Sequence, residues 1–142
     1  MLLSTRTIYG FRMMFQLALN YEKGPFQLRE ISKREGLSLK YLSQIILILK
    51  NANLVVATRG AQGGYQLARP PRAITALEIF VCLEGEVLAL GEQDGQTSQD
   101  SVVVEEVWDR LRRGAAAALE GLTLEDLLRS DMKRRHASNY SI

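Results

Sequence analysis

The sequence predicts a mainly α-helical fold with one small β-hairpin. Apolar residues recur at helical spacing along most of the chain, and two short strand-like runs flank a single glycine-rich turn at residues 59–64. Its 142 residues, 46% hydrophobic and 24% charged, fit one domain or one domain with a helical appendage. No apolar run approaches the roughly 18–20 residues of a membrane span, and the start MLLSTRTIYG lacks a secretory apolar core. The single cysteine, Cys82, cannot close an internal disulfide, so a cytoplasmic location is expected.

Ser4 is placed to cap a first helix running to about residue 22, with Ile8, Phe11, Phe15, Ala18 and Leu19 on one face. Gly24-Pro25 ends it. A short helix over 27–35 turns Leu28 and Ile31 inward, and Gly36 makes a tight turn. Ser38 caps a third helix whose inner stripe is Leu42, Ile45, Ile46 and Leu49, leaving Lys40, Tyr41, Ser43 and Gln44 on the outer face of its first turns. Short helix, glycine turn, then a longer helix with a polar N-terminal face is the layout of a helix-turn-helix.

Residues 54–58 and 65–67 then form a hairpin around Arg59, Gly60, Ala61, Gln62, Gly63 and Gly64. A hairpin directly after the third helix is a wing, and its tip offers Arg59 and free backbone amides to phosphates or a narrow minor groove. Gly63 and Gly64 also serve the turn itself by permitting positive φ. Charge agrees with a polyanionic partner. Residues 1–72 hold eleven Lys or Arg against three acids, a net +8, whereas residues 73–142 hold seven against thirteen, a net −6.

Pro70-Pro71 reads as a linker, followed by a helix over 75–84 with Leu77, Phe80 and Val81 on one side. Residues 85–100 read as a flexible loop. From Ser101 a long helix carries Val104, Val107, Trp108, Leu111, Ala115, Ala118 and Leu119, and a last helix covers 123–129. The residues before the loop fill their own core. The long helix is therefore expected to pair with a second subunit through Val104, Trp108, Leu111, Ala115 and Ala118, the alternative being packing within one chain. The resulting division is a winged helix-turn-helix over 1–84, a loop over 85–100, dimerisation helices over 101–133 and a tail over 134–142.

The stretch Ile31-Ser32, Gly36-Leu37-Ser38, Tyr41-Leu42, Gln44, Asn51-Ala52, Leu54-Val55, the wing from Arg59 to Ala68, and Ile74-Thr75 resembles the Rrf-two (Rrf2) family of bacterial transcription regulators, the IscR, NsrR and CymR type. The wing pattern Arg-Gly-x-x-Gly-Gly-Tyr-x-Leu is its most specific part, and the likeness is fullest over residues 1–85. The resemblance implies a homodimer on palindromic double-stranded DNA, acting as a repressor. It puts Ser38, Lys40, Tyr41 and Gln44 at the major groove and backbone, and Arg59, with the wing glycines Gly60, Gly63 and Gly64, beside the minor groove. Gln44 suits adenine or a phosphate, and Lys40 suits guanine or a phosphate. Asn53 stands where relatives often have glycine, and asparagine tolerates the left-handed conformation. Leu47 and Ile48 are more apolar than the outer side of such a helix calls for.

Family members with an iron–sulfur cluster hold it with three cysteines in the loop before the dimer helix. Here residues 84–100 contain neither cysteine nor histidine, so the resemblance is to the cluster-free, CymR-like members and no cofactor is expected. Cys82 reads as a small buried hydrophobe or, alternatively, as a thiol sensor. The ending Ala137-Ser138-Asn139-Tyr140-Ser141-Ile142 resembles tails that enter the active site of O-acetylserine sulfhydrylase (cysteine synthase). An aliphatic side chain beside a free carboxylate mimics an amino-acid substrate, which would link the chain to cysteine or sulfur metabolism; otherwise the segment is a frayed end.

Enzymatic function is not expected. The one histidine, His136, lies near the end, and no catalytic triad, metal-ligand cluster or phosphate-binding loop is present. Glu105-Glu106 and Glu125-Asp126 are neighbours on helices and read as solvated faces. Two further alternatives are a DNA-binding module without sequence preference and a winged helix that mediates only protein contacts.

Overall fold

A computed structural model of the chain describes residues 3–85 and 99–139. Helix α1 spans Thr5–Leu19 and is capped as the sequence predicts, with the Thr7 amide donating to Ser4 Oγ at 3.2 Å. A second cap comes from 80 residues away. The Glu84 carboxylate accepts from the Ser4 hydroxyl at 2.8 Å, the Ser4 amide at 3.3 Å and the buried Thr7 hydroxyl, while Arg6 Nε donates to the Leu83 carbonyl at 3.1 Å. Hydrogen bonds from Thr7 and then Ser4 hold the Glu84 carboxyl below its ordinary range.

The buried face of α1 is Thr7, Gly10, Met13, Met14, Leu17 and Ala18. That corrects the expected stripe: Ala18 belongs to the core, but Ile8 is 44% exposed and Phe11 and Phe15 are half-buried. The helix carries two apolar stripes, and Gly10 decides between them. A Cβ there would lie 2.3 Å from Leu83 Cδ1, so a larger residue would have to displace the Leu83 side chain that docks here. α1 also stops at Leu19, earlier than expected, and a 3-10 turn over Tyr21–Lys23 follows.

Helix α2 (Leu28–Glu35) buries Ile31 and ends at Gly36 in the left-handed region, φ 65°. Helix α3 (Leu39–Asn51) starts at Ser38, whose Oγ accepts from the Tyr41 amide at 3.0 Å, and buries all four predicted residues. Asn53 takes φ 60° as expected and redirects the chain into β1 (Val55–Thr58). β1 pairs antiparallel with β2 (Gly64–Leu67), Val55 facing Leu67 and Thr58 facing Gly64. Phe26 adds a single-residue bridge at the edge: its amide donates to the Tyr65 carbonyl and its carbonyl accepts from the Tyr65 amide, both at 2.9 Å.

Pro70-Pro71 does not open a free linker. A 3-10 turn over Pro71–Ala73 leads directly into helix α4 (Ala76–Glu84), which begins with a Thr75–Glu78 capping box. The inner face of α4 is Ala76, Ile79, Phe80 and Leu83; the expected Val81 is 45% exposed and Leu77 is half-buried. The docking of Leu83 over Gly10 turns the helix one position away from the predicted stripe.

Helix α5 (Gln99–Glu120) has no buried residue. Helix α6 runs over Leu124–Asn139, past residue 129 and into the expected tail. Thr123 and Asp126 cap it reciprocally at 2.9 and 3.2 Å. Leu124 is buried in the core, and Leu127 and Leu128 pack against it. Backbone bonds Ala76 N to Leu122 O (2.7 Å) and Leu124 N to Ile74 O (3.0 Å) tie the α5–α6 turn to the entrance of α4. α6 thus packs against the N-terminal body. No helix among the described residues is long and apolar enough to cross a membrane.

The Glu84 cap has a pH signature. Because its folded pKa is depressed below the usual 4.5, its contribution is full at neutral pH and is lost as pH falls through the folded value. Glu84→Gln should lower the urea midpoint at neutral pH, with the gap to the parent protein closing as pH falls below the ordinary carboxylate range.

Candidate nucleic-acid interface

The first turns of α3 present Ser38, Lys40 and Gln44 to solvent, because Leu42, Ile45, Ile46 and Leu49 fix the opposite side inward. Lys40 and Gln44 are one turn apart and share a face. Neither has a side-chain partner among the described residues, so both are free to meet a ligand. Ser43 is less available, since its hydroxyl donates to the Leu39 carbonyl at 2.8 Å.

Tyr41 is held from behind. It is half-buried, its ring meets Tyr9 edge-on with centroids 5.7 Å apart, and its hydroxyl lies 3.2 Å from that of Thr5. Arg12 sits 5.6 Å from the Tyr9 ring centre and pairs with Glu35 at 2.6 Å, and Gln16 reaches the same carboxylate at 2.8 Å. α1, α2 and the first turn of α3 are therefore locked together by one polar and aromatic lattice. Sequence reading missed Tyr9, Arg12 and Glu35. They stand between the apolar positions that periodicity scores, and their partners are on other helices.

At the wing tip Arg59 is exposed and has no ion-pair partner among the described residues. Gly60 takes φ 108°, and its carbonyl accepts from the Gly63 amide at 3.0 Å. Gly63 corrects the expectation of positive φ. Its need is for space, because a Cβ would fall 2.1 Å from the Thr58 carbonyl oxygen. Gly64 has φ 155° and leaves room for the Phe26 backbone, 2.8 Å from where a Cβ would stand. Phe26 is a further residue that sequence reading missed, as one paired residue carries no strand pattern.

The remaining candidates lie away from this surface. On α5, Val104, Trp108 and Leu111 are exposed together with Val102, Val103 and Val107; Ala118 is exposed and Ala115 half-buried. Cys82 is half-buried, its thiol donating to the Ile48 carbonyl at 3.7 Å, and burial pushes its pKa up against a smaller downward pull from Arg6. Ile48 packs against the core while Leu47 is exposed. Tyr140 and Ile142 lie outside the described residues.

Residues 3–130 match the Rrf2 family, described as an iron-dependent transcriptional regulator. The chain belongs to the Rrf2 family. It is 38% identical over 127 residues to the HTH-type transcriptional regulator CymR of Bacillus subtilis, covering 89% of each chain. Its fold matches the solved structure of that CymR (YrzC), described as the global cysteine regulator, with a TM-score of 0.79 at 37% identity over 89% of this chain and 95% of the other. It also matches T. potens IscR with a TM-score of 0.77 at 38% identity, covering 92% and 88%. As a member of this family the chain is a DNA-binding transcriptional regulator, and the relatives it matches are regulators rather than enzymes.

The family description raises iron, and the residues present do not fit an iron–sulfur cluster. Such clusters take three or four thiolate or imidazole ligands. These 142 residues contain one cysteine and one histidine. Cys82 is turned towards the Ile48 carbonyl and His136 is on α6, and no group of three His, Cys, Asp or Glu side chains converges among the described residues.

The wing geometry predicts that Gly63→Ala, which drives a methyl into Thr58, weakens DNA binding by disordering the tip while α1, α3 and α4 stay folded. Loss of affinity with unchanged helical circular dichroism is the expected result, and undiminished affinity would sink this account of the wing.

Proposed function

We propose that the chain binds palindromic operators as a homodimer and represses the genes they control. The observation that carries this is the pairing of two surfaces: the α3 face, with Ser38, Lys40 and Gln44 exposed and Tyr41 half-buried beside them, and the wing tip, with Arg59 and Gly60 exposed and Gly63 and Gly64 shaping the turn. The bases are read by α3 in the major groove, and Arg59 enters the neighbouring minor groove. The apolar face of α5, through Val104, Trp108, Leu111, Ala115 and Ala118, packs on the same face of a second copy, which gives the two-fold symmetry a palindrome requires. A dimer seated over a promoter occludes polymerase, and the protein works in the cytoplasm.

The regulator is cluster-free by its donor set. The similarity to a global cysteine regulator supports a link to cysteine or sulfur metabolism. The ending Tyr140-Ser141-Ile142 supports docking into cysteine synthase by mimicry of its amino-acid substrate. Deleting Ile142 should then abolish binding to that enzyme, and unchanged affinity would end the idea. Thiol sensing at Cys82 is disfavoured by its engaged sulfur and raised pKa, because the thiolate is the reactive form.

The deciding experiment selects genomic fragments with purified protein at physiological salt. An enriched palindrome is expected. Arg59→Ala should weaken binding to it and reduce the salt slope by about 1. Retention of all sequences alike would reduce the protein to a non-specific binder, and no effect of Arg59→Ala would favour a wing that contacts only protein.

A further inference from the structure

A cleft of about 320 Å³ opens at the end of α1 remote from the α3 face. Its walls come from the end of α1, the turn Tyr21–Lys23, the turn Pro71–Ala73 and the first turns of α6. Leu19, Pro70, Pro71 and Leu128 give it apolar lining. Four charged side chains line it as well: Lys23 and Arg72, Glu22 and Glu125. Lys23, Arg72 and Glu22 have no ion-pair partner among the described residues, and Glu125 has only a 3.4 Å contact with the exposed Arg129.

Other clefts among the described residues differ in their charges. In the one between α1 and α6, Arg12 is paired with Glu35 and Asp131 with Arg135. On α5, the cleft at Val104 and Trp108 sits on the face already assigned to the second subunit, and in the one at Val103 and Val107 Arg110 is paired with Glu106. Two uncommitted cations, two carboxylates and apolar walls in one small space are complementary to a ligand that carries a carboxylate, an ammonium and a short apolar body. The volume lies at the lower end of the roughly 300–1,000 Å³ of small-molecule sites.

We infer that this cleft binds a free α-amino acid, with its carboxylate towards Lys23 and Arg72 and its ammonium towards Glu22 and Glu125. The guanidinium of Arg72 can grip the carboxylate with two parallel hydrogen bonds, which a point charge cannot. The position gives the ligand leverage. Pro70–Arg72 leads out of β2, so it is the stem of the wing. The α6 wall follows directly on α5, and Ala76 N to Leu122 O joins the two segments. A ligand in the cleft touches the stem of the wing and the first turns of α6, about 20 Å along α1 from the Thr5–Tyr41 contact. Differential binding to two settings of these parts shifts DNA affinity, and such couplings are typically about 5–150-fold.

This deepens the regulator reading, so binding is measured first without DNA. The full-length protein is titrated calorimetrically with each of the twenty common amino acids, and any binder is retested as its N-acetyl and its carboxamide form. At least one amino acid should bind, with both derivatives weaker by about tenfold or more, the usual loss when a charged hydrogen bond is removed. Arg72→Gln and Glu125→Gln, both outside the core, should each weaken binding about as much without moving Tm. The bound amino acid should then change affinity for the selected operator. Failure of all twenty to bind, binding indifferent to both substitutions, equal binding of the N-acetyl form, or operator affinity unmoved by a bound amino acid would each overturn the proposal. Absence of any operator would instead tell against the regulator reading, with amino-acid binding still read on its own.

Discussion

Everything in this fold leans on the buried face of α1. Met13, Met14 and Leu17 form the wall against which α3, α4 and α6 close, and β2 reaches the same helix. That face carries no charge, so its packing is set by shape and apolar burial. Gly10 supplies the one close approach, and the Glu84 cap seals the same junction at its end. Because α1 touches α3 at its start and the exit of the wing at its end, its position sets both. A helix-turn-helix alone would have only α2 and α3 to orient its reading face.

The polar lattice on the opposite edge of α1 completes this arrangement. Arg12 serves Tyr9 by its face and Glu35 by its edge, and Tyr9 in turn supports Tyr41. An arginine that stacks and pairs at once cannot be replaced by lysine without losing one of the two contacts. The exposed side chains on the first turns of α3 are few, and those that keep them in place lie one layer behind.

Much of this was legible in the sequence where a local rule was decisive. The α3 stripe, the Ser4 and Ser38 caps, the Gly36 turn and the hairpin each follow from a few neighbouring residues, and all are present. The failures share a cause. On α1 and α4 two apolar stripes compete, and the choice rests on a contact between Gly10 and Leu83, 73 positions apart. The return of α6 to the core rests on Leu124 and on backbone bonds to residues 74 and 76, which no periodicity encodes. At the DNA face, exposed residues were readable from the outer side of α3, but the Tyr9–Arg12–Glu35 support was hidden because it joins three elements.

The pairing of Phe26 with Tyr65 has a further meaning. Both hydrogen bonds run between main-chain atoms, so neither depends on which side chains stand at 26 and 65. The wing is anchored to the strand-like lead-in of α2 by chemistry that mutation of those side chains leaves intact. Side chains at the tip can therefore be exchanged while the distance between arm and α3 stays constant. The spacing becomes an inherited ruler, and the letters it measures remain free to drift.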